Sequence, residues 1–213
     1  MKKEHLIFIN NPGGKGRRLL FIGGRITIAP AHRESGFQGG FGMAASAPEK
    51  DYVHKVMKFA NTVCKDSANC VISSEFFEDC FKSPNNVLKY YKDGKKFQPD
   101  VIIFQLGDYI PSTDYDKEKF ENAFDLLCDY LDPENKITKL IITPYEARYA
   151  ALDFQQIAEK RGLPCLYISD ILSNGEYMPS AYDKLPTRLY LNDERMKEIA
   201  QAILCIIEKD LRK

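Results

Sequence analysis

The chain has 213 residues, and its 30 Lys and Arg balance 30 Asp and Glu, so its formal net charge is zero. That length suits one large α/β domain with a substantial core, and the balance offers no electrostatic footprint for nucleic acid or an anionic membrane. No apolar run approaches the roughly eighteen residues of a membrane span, and the six cysteines form no C-x-x-C pair, which excludes a zinc knuckle or a dithiol redox motif.

Residues 1–18 read as a tail or an extra strand before a single domain over residues 19–213. "MKKEHLIFINNPGG" opens basic, like a signal peptide. Its apolar core, Leu6 to Ile9, is too short for one and lacks a small-residue cleavage site. A cytoplasmic protein is expected, or an exported one whose leader has been removed. "PGGKG" has the look of a phosphate loop. However, its glycines precede the first strand and Gly16, not Ser or Thr, follows Lys15, so it reads as a flexible turn.

Four apolar runs predict strands covered on both faces: Leu19–Gly23, Val101–Leu106, Leu140–Thr143 and Cys165–Ser169. Continuous rather than alternating hydrophobicity is what a parallel sheet requires. A weaker fifth strand lies near Asn69–Ser74. Between them run helical patterns. "PEKDYVHKVMKFANTVC" begins with Pro48, suited to a first helical turn. "DKEKFENAFDLLCDYL" carries Phe120, Ala123, Phe124, Leu127 and Cys128 on one face. "YEARYAALDFQQIAEKRG" ends on a glycine stop. "LNDERMKEIAQAILCIIEKDL" opens with Asn192 or Asp193 as its cap.

Strands alternating with helices predict a doubly wound parallel sheet of about five strands. The crevice beyond the carboxyl ends of its strands gathers four loops: Gly23–Ala45, Gly107–Asp116, Thr143–Glu146 and Asp170–Tyr190. The three histidines, His5, His32 and His54, lack metal-ligand spacing, and only His32 falls in a crevice loop. Cys128, Cys165 and Cys205 sit in apolar runs and are expected in the core. Free thiols are expected at Cys64, Cys70 and Cys80 in preference to a disulfide. Acid pairs such as Asp114 with Asp116 read as ordinary helix-start residues rather than a glycosidase pair.

The blocks "LLFIGGRIT", "GFQGGFGMAASAPEKDYVH", "PDVIIFQLGDYI", "LPCLYISDI" and "YLNDERMKEIAQAI" resemble, in order, the SGNH or GDSL-like hydrolases. The closest likeness is to a bacterial subgroup with "GMAAS…EKDYVH" in its second block, and it spans about Leu19 to Ile207. The resemblance implies an esterase or acylhydrolase of three-layer, flavodoxin-like α/β fold. It implies a serine nucleophile at the end of the first block, oxyanion donors from a second-block glycine and a third-block asparagine, and an Asp-x-x-His before the last helix. Each is needed: an unassisted serine is a poor nucleophile, and a tetrahedral oxyanion needs preset donors.

Here the pattern departs. The serine position falls on Arg25, directly after Gly24. The third block reads Gly107, Asp108, Tyr109, so tyrosine replaces asparagine. The final pair falls on Thr187 and Tyr190, and no histidine follows His54. Of the implied residues only the second-block glycine, Gly42, remains. The expectation is an inactive pseudo-esterase that binds or regulates, with an acylated sugar, another carbohydrate or a small anion as ligand, and with no cofactor and no metal. The alternative is an active esterase with relocated machinery: Thr27, Ser46 or Ser112 as hydroxyl, His32 as base, Asp108 or Glu34 as orienter. Arg25 is expected to start a helix after the first long strand and to pair with Asp108, or failing that Glu34. Tyr190 is expected to lean into the crevice.

Overall fold

In a computed structural model, which describes residues 6–33, 36–43, 45–144, 147–172 and 192–213, six strands form one sheet. They are β1 (Ile7–Asn10), β2 (Arg18–Gly23), β3 (Ala68–Ser73), β4 (Val101–Gln105), β5 (Thr138–Ile142) and β6 (Cys165–Leu166). Their order is β1-β3-β2-β4-β5-β6. Five are parallel, and β1 joins antiparallel to β3 at one edge. Counted among the parallel strands alone, the order is 2-1-3-4-5, the flavodoxin-like winding. This is the SGNH hydrolase fold. The first two long apolar runs are adjacent and central, with Leu19 opposite Val101 and Ile22 opposite Phe104.

The central strands are largely apolar because successive side chains enter different cores. Leu19, Phe21, Val101, Ile103, Leu140 and Ile142 face α1 (Tyr52–Cys64) and, through Met196, Ile199, Ile203 and Ile207, the last helix. Leu20, Ile22, Ile102, Phe104 and Ile141 face the opposite layer. That layer holds α2 (Glu75–Cys80), α3 (Pro84–Val87), α4 (Lys92–Phe97), α5 (Lys117–Leu131) and α6 (Arg148–Arg161). Phe120, Phe124 and Phe154 meet there edge to face, joining α5 to α6. The chain continues through α7 (Ile168–Leu172) to α8 (Asp193–Leu211).

The helix ends follow their capping chemistry. Asn192 Oδ1 accepts from Arg195 N at 3.0 Å to start α8, and Gly162 at φ 65° closes α6. The segment opening at Pro48 is split. Pro48–Lys50 is a 3-10 turn, and α1 starts only after Asp51, whose carboxylate takes the His54 backbone N–H at 2.7 Å. The predicted strand Cys165–Ser169 is shorter than expected. Ile168 N donates to Thr143 Oγ1 at 3.1 Å, which turns the chain off the sheet edge into α7.

"PGGKG" lies in the turn between β1 and β2, at the amino end of the sheet. There Gly16 N donates to Asp66 O and Lys15 N to the Asp66 carboxylate. All six cysteines are free thiols. Cys128 is buried, but Cys205 is exposed rather than in the core, because it lies on the outer face of α8. No helix among the described residues is long and apolar enough to cross a membrane.

Candidate functional site

The site residues gather at the carboxyl ends of β2 and β4, where the winding of the sheet reverses. β2 delivers Gly24 and Arg25. The expected helix does not form. Residues 24–27 make one turn, in which Gly24 O accepts from Thr27 N at 2.9 Å and Ile28 N at 3.0 Å. Thr27 and Ile28 are β-branched, and Pro30 restricts the residue before it, so the turn cannot propagate.

β4 ends on Gln105, which is fully buried and organises the junction. Its Oε1 accepts from Gly24 N at 3.0 Å and from Thr27 Oγ1 at 3.4 Å, and its Nε2 donates to Asp108 Oδ2 at 2.5 Å. The chain then turns at Gly107, whose φ of +99° suits glycine. Glu78, inside α2, holds this turn from below. Its Oε1 accepts from Gly107 N at 3.0 Å and from Ser74 Oγ at 2.7 Å, and its Oε2 accepts from Tyr109 N at 2.7 Å. Burial, then the nearby Asp108 charge, pushes the Glu78 carboxyl up to about 7 against these hydrogen bonds.

Tyr109 reaches back across the crevice. Its hydroxyl accepts from Arg25 N at 3.2 Å, and its ring lies 4.9 Å from the Arg25 guanidinium carbon, at cation–π distance. Burial first, and then Asp108, raises the Tyr109 phenol, which stays neutral. Among the described residues, the carboxylate facing Arg25 is not the expected Asp108. Glu75, at the start of α2, stands 3.8 Å from Nε. Asp108 is held by Gln105 instead, and Glu34 lies outside the described residues. Arg25 Nε is buried without a hydrogen-bond partner, while the side chain as a whole is 37% exposed.

Gly42 belongs to the same construction. Met43 N donates to Arg25 O at 2.8 Å, which brings Gly42 beside the turn. A Cβ at Gly42 would run into the Ile26 backbone carbonyl, so a glycine is required by this close approach. Its N–H donates to Asp51 Oδ2 at 2.9 Å, and Asp51 also binds the His54 ring at Nδ1. The backbone N–H groups of Arg25 and Gly42 are thus both engaged by protein acceptors, the Tyr109 hydroxyl and the Asp51 carboxylate.

The other described candidates lie in separate surroundings. Thr27 is buried, and its hydroxyl shares a 2.6 Å hydrogen bond with the Tyr52 hydroxyl. Ser46 is exposed and donates to Asp193, a carboxylate rather than an imidazole. Ser112 is exposed in the loop after β4. His32 forms a backbone bridge with Phe37 in the connection after β2. Thr187 and Tyr190 lie outside the described residues, as does the expected approach of Tyr190 to the crevice. Among the described residues no group of His, Cys, Asp and Glu is arranged to hold a metal ion. Sequence reasoning missed Gln105, Glu78, Glu75 and Asp51. The one available signal was an acid inside the apolar run "EFFEDCF" after the weakest predicted strand.

No family model matches the chain, and no curated sequence matches it as a relative. Solved structures do match over nearly its whole length. The psychrotrophic esterase EstA from Pseudoalteromonas sp. is 15% identical, with 92% of this chain and 100% of that one covered, at a TM-score of 0.57. Axe2, an acetylxylan esterase from Geobacillus stearothermophilus, is 18% identical over 93% of this chain and 95% of its own, at 0.58. A family two carbohydrate esterase from Clostridium thermocellum, solved with cellohexaose, is 14% identical over 92% of this chain and 64% of its own, also at 0.58. At these identities the likeness establishes a common fold.

Proposed function

We propose that the chain is a divergent member of the SGNH hydrolase family that does not perform serine esterolysis and instead binds a ligand at the β2–β4 crevice. One observation carries the reading. The block order aligns Arg25 with the family's serine, and the Arg25 and Gly42 backbone N–H groups beside it are hydrogen-bonded to Tyr109 and Asp51. Loss of a single triad member costs orders of magnitude in rate, and the members act as a unit. Guanidinium stays protonated and is no nucleophile. The sequence adds the missing asparagine at Tyr109 and the replacement of the acid–base pair at Thr187 and Tyr190.

A small anion or a carbohydrate bearing one fits what remains. Arg25 is restrained by one long ion pair and one ring face, and it makes no side-chain hydrogen bond among the described residues. Its planar fork matches a carboxylate or phosphate. Neighbours of this fold include an esterase active on acetylated mannans, co-crystallised with mannopentaose, which extends the ligand class to sugars. Relocated catalysis has no comparable support, since Thr27 is buried and Ser46 faces Asp193.

The test is direct. The protein should neither label with a fluorophosphonate probe nor hydrolyse p-nitrophenyl acetate, and Arg25→Ser should restore neither, because a hydroxyl without a base is inert. Thermal-shift screening should find a carboxylate, phosphate or acidic sugar whose stabilisation Arg25→Ala abolishes. Labelling that Thr27→Ala or Ser46→Ala removes would overturn the proposal.

A further inference from the structure

The edge strand β1 carries a second inference, independent of the crevice. Antiparallel partners alternate between residues that hydrogen-bond across the pair and residues that point away from it. Ser73 N donates to Leu6 O at 3.0 Å, so Leu6 and Ser73 are a bonded pair. The register Ile7↔Ile72, Phe8↔Val71, Ile9↔Cys70, Asn10↔Asn69 then directs Phe8 and Asn10 toward β3. Ile7 and Ile9 direct both their N–H and C=O groups outward. β1 ends the sheet, so among the described residues no strand receives them.

The side chains tell the same story. Leu6 and Phe8 pack inward against the α1–α8 core. Ile7 and Ile9 share the opposite face with Ile72 and Cys70, and they are 36% and 44% exposed. Edge strands in natural proteins are usually guarded by lysine, proline or a bulge. Ile7 to Asn10 contains none of these.

We propose that two copies of this chain pair through β1 about a two-fold axis centred on Phe8, joining two six-stranded sheets into one. The outward register is self-complementary, which fits a second copy as the occupant. Antiparallel pairing about Phe8 sets Ile7 opposite the partner's Ile9, and Ile9 opposite the partner's Ile7. All four residues present outward N–H and C=O groups, so two fully bonded residue pairs form. Centring on Ile7 or on Ile9 would bond fewer residues within the strand. A two-fold axis normal to the sheet preserves faces, so the four isoleucines form one apolar cluster across the seam. The zero net charge of the chain removes the long-range repulsion that keeps strongly charged proteins apart. A strand of four residues offers much less than the roughly 800 Å² per partner of a standard interface, so the dimer is weak and concentration-dependent.

Sedimentation velocity on the full chain over a hundredfold range of concentration should show a monomer shifting toward a dimer. Ile9→Lys, with unchanged far-ultraviolet dichroism, should weaken the association by about tenfold or more. Amide exchange of the wild-type chain gives a readout that no folding defect can imitate. Protection of the Ile7 and Ile9 amides should rise with concentration, while Phe8 and Asn10 stay protected throughout. A monomer at every concentration, an Ile9→Lys protein that dimerises like wild type, or a dimer whose Ile7 and Ile9 amides still exchange freely would each overturn the proposal.

Discussion

Glu78→Gln should remove a pH dependence of stability that the buried carboxyl imposes. Glu78 is 5% exposed, and burial has raised its carboxyl from 4.5 to about 7. In that window the native chain binds a proton at Glu78 that the unfolded chain has released. Stability therefore falls as pH rises from about 4.5 to about 7 and is flat above. The rise corresponds to about 3 kcal/mol favouring the protonated native form. Glutamine removes this titration. It keeps one acceptor for the two backbone N–H groups of Gly107 and Tyr109, and leaving one unpaired costs about 1–3 kcal/mol. The variant should thus be the less stable protein at pH 5, and should match or exceed wild type by pH 8. Urea unfolding at a series of pH values measures this by far-ultraviolet dichroism, since the chain has no Trp. Other titrating groups cancel in the difference between the two proteins. Parallel pH profiles for wild type and variant would refute the burial argument for Glu78.

Two further outcomes follow from buried polar contacts and close approach. Asp132→Ala should cost about 3–5 kcal/mol in chemical denaturation, because it strands the Lys139 ammonium, whose side chain is 1% exposed. Lys139→Met/Asp132→Leu, which removes both charges, should recover a large part of that loss. Gly42→Ala should lower the melting temperature, corresponding to about 1–3 kcal/mol, because its methyl meets the Ile26 backbone carbonyl. An unchanged melting temperature would mean the turn at Arg25 yields more easily than its hydrogen bonds suggest.

The sheet was legible because a strand covered on both faces needs apolar residues at every position. Leu19–Gly23 supplies them, and Val101–Leu106 does so at every position but Gln105. The long helices were legible through Asn192, Asp116 and Gly162, each of which makes the backbone contact its residue type favours. The crevice was legible only in part. Arg25 and Tyr109 meet across the crevice. The chain order points to Asp108, after β4, as the partner of Arg25, whereas Glu75 is the carboxylate at ion-pair distance among the described residues. β3 flanks β2 on its other side, and the residues that follow it, including Glu75, open onto the same end of the sheet. Glu78 escaped for a different reason. An acid in a six-residue helix looks solvated in sequence, and only the tertiary approach of Gly107 and Tyr109 shows that it is buried. The absence of a helix after β2 was encoded in Thr27, Ile28 and Pro30, but the family likeness favoured a helix there.

Asp51 binds the opening of the crevice wall to the fraying of a helix. One carboxylate oxygen accepts from the first turn of α1 at His54 N, and the other holds Gly42, whose neighbour Met43 is fastened to Arg25. The connection after β2 cannot swing away without uncapping α1, and α1 cannot fray at its start without releasing Gly42. The wall and the helix end therefore open as one cooperative unit, not as an independent lid. A ligand that tightens the crevice would be felt at the His54 amide as slower exchange with solvent.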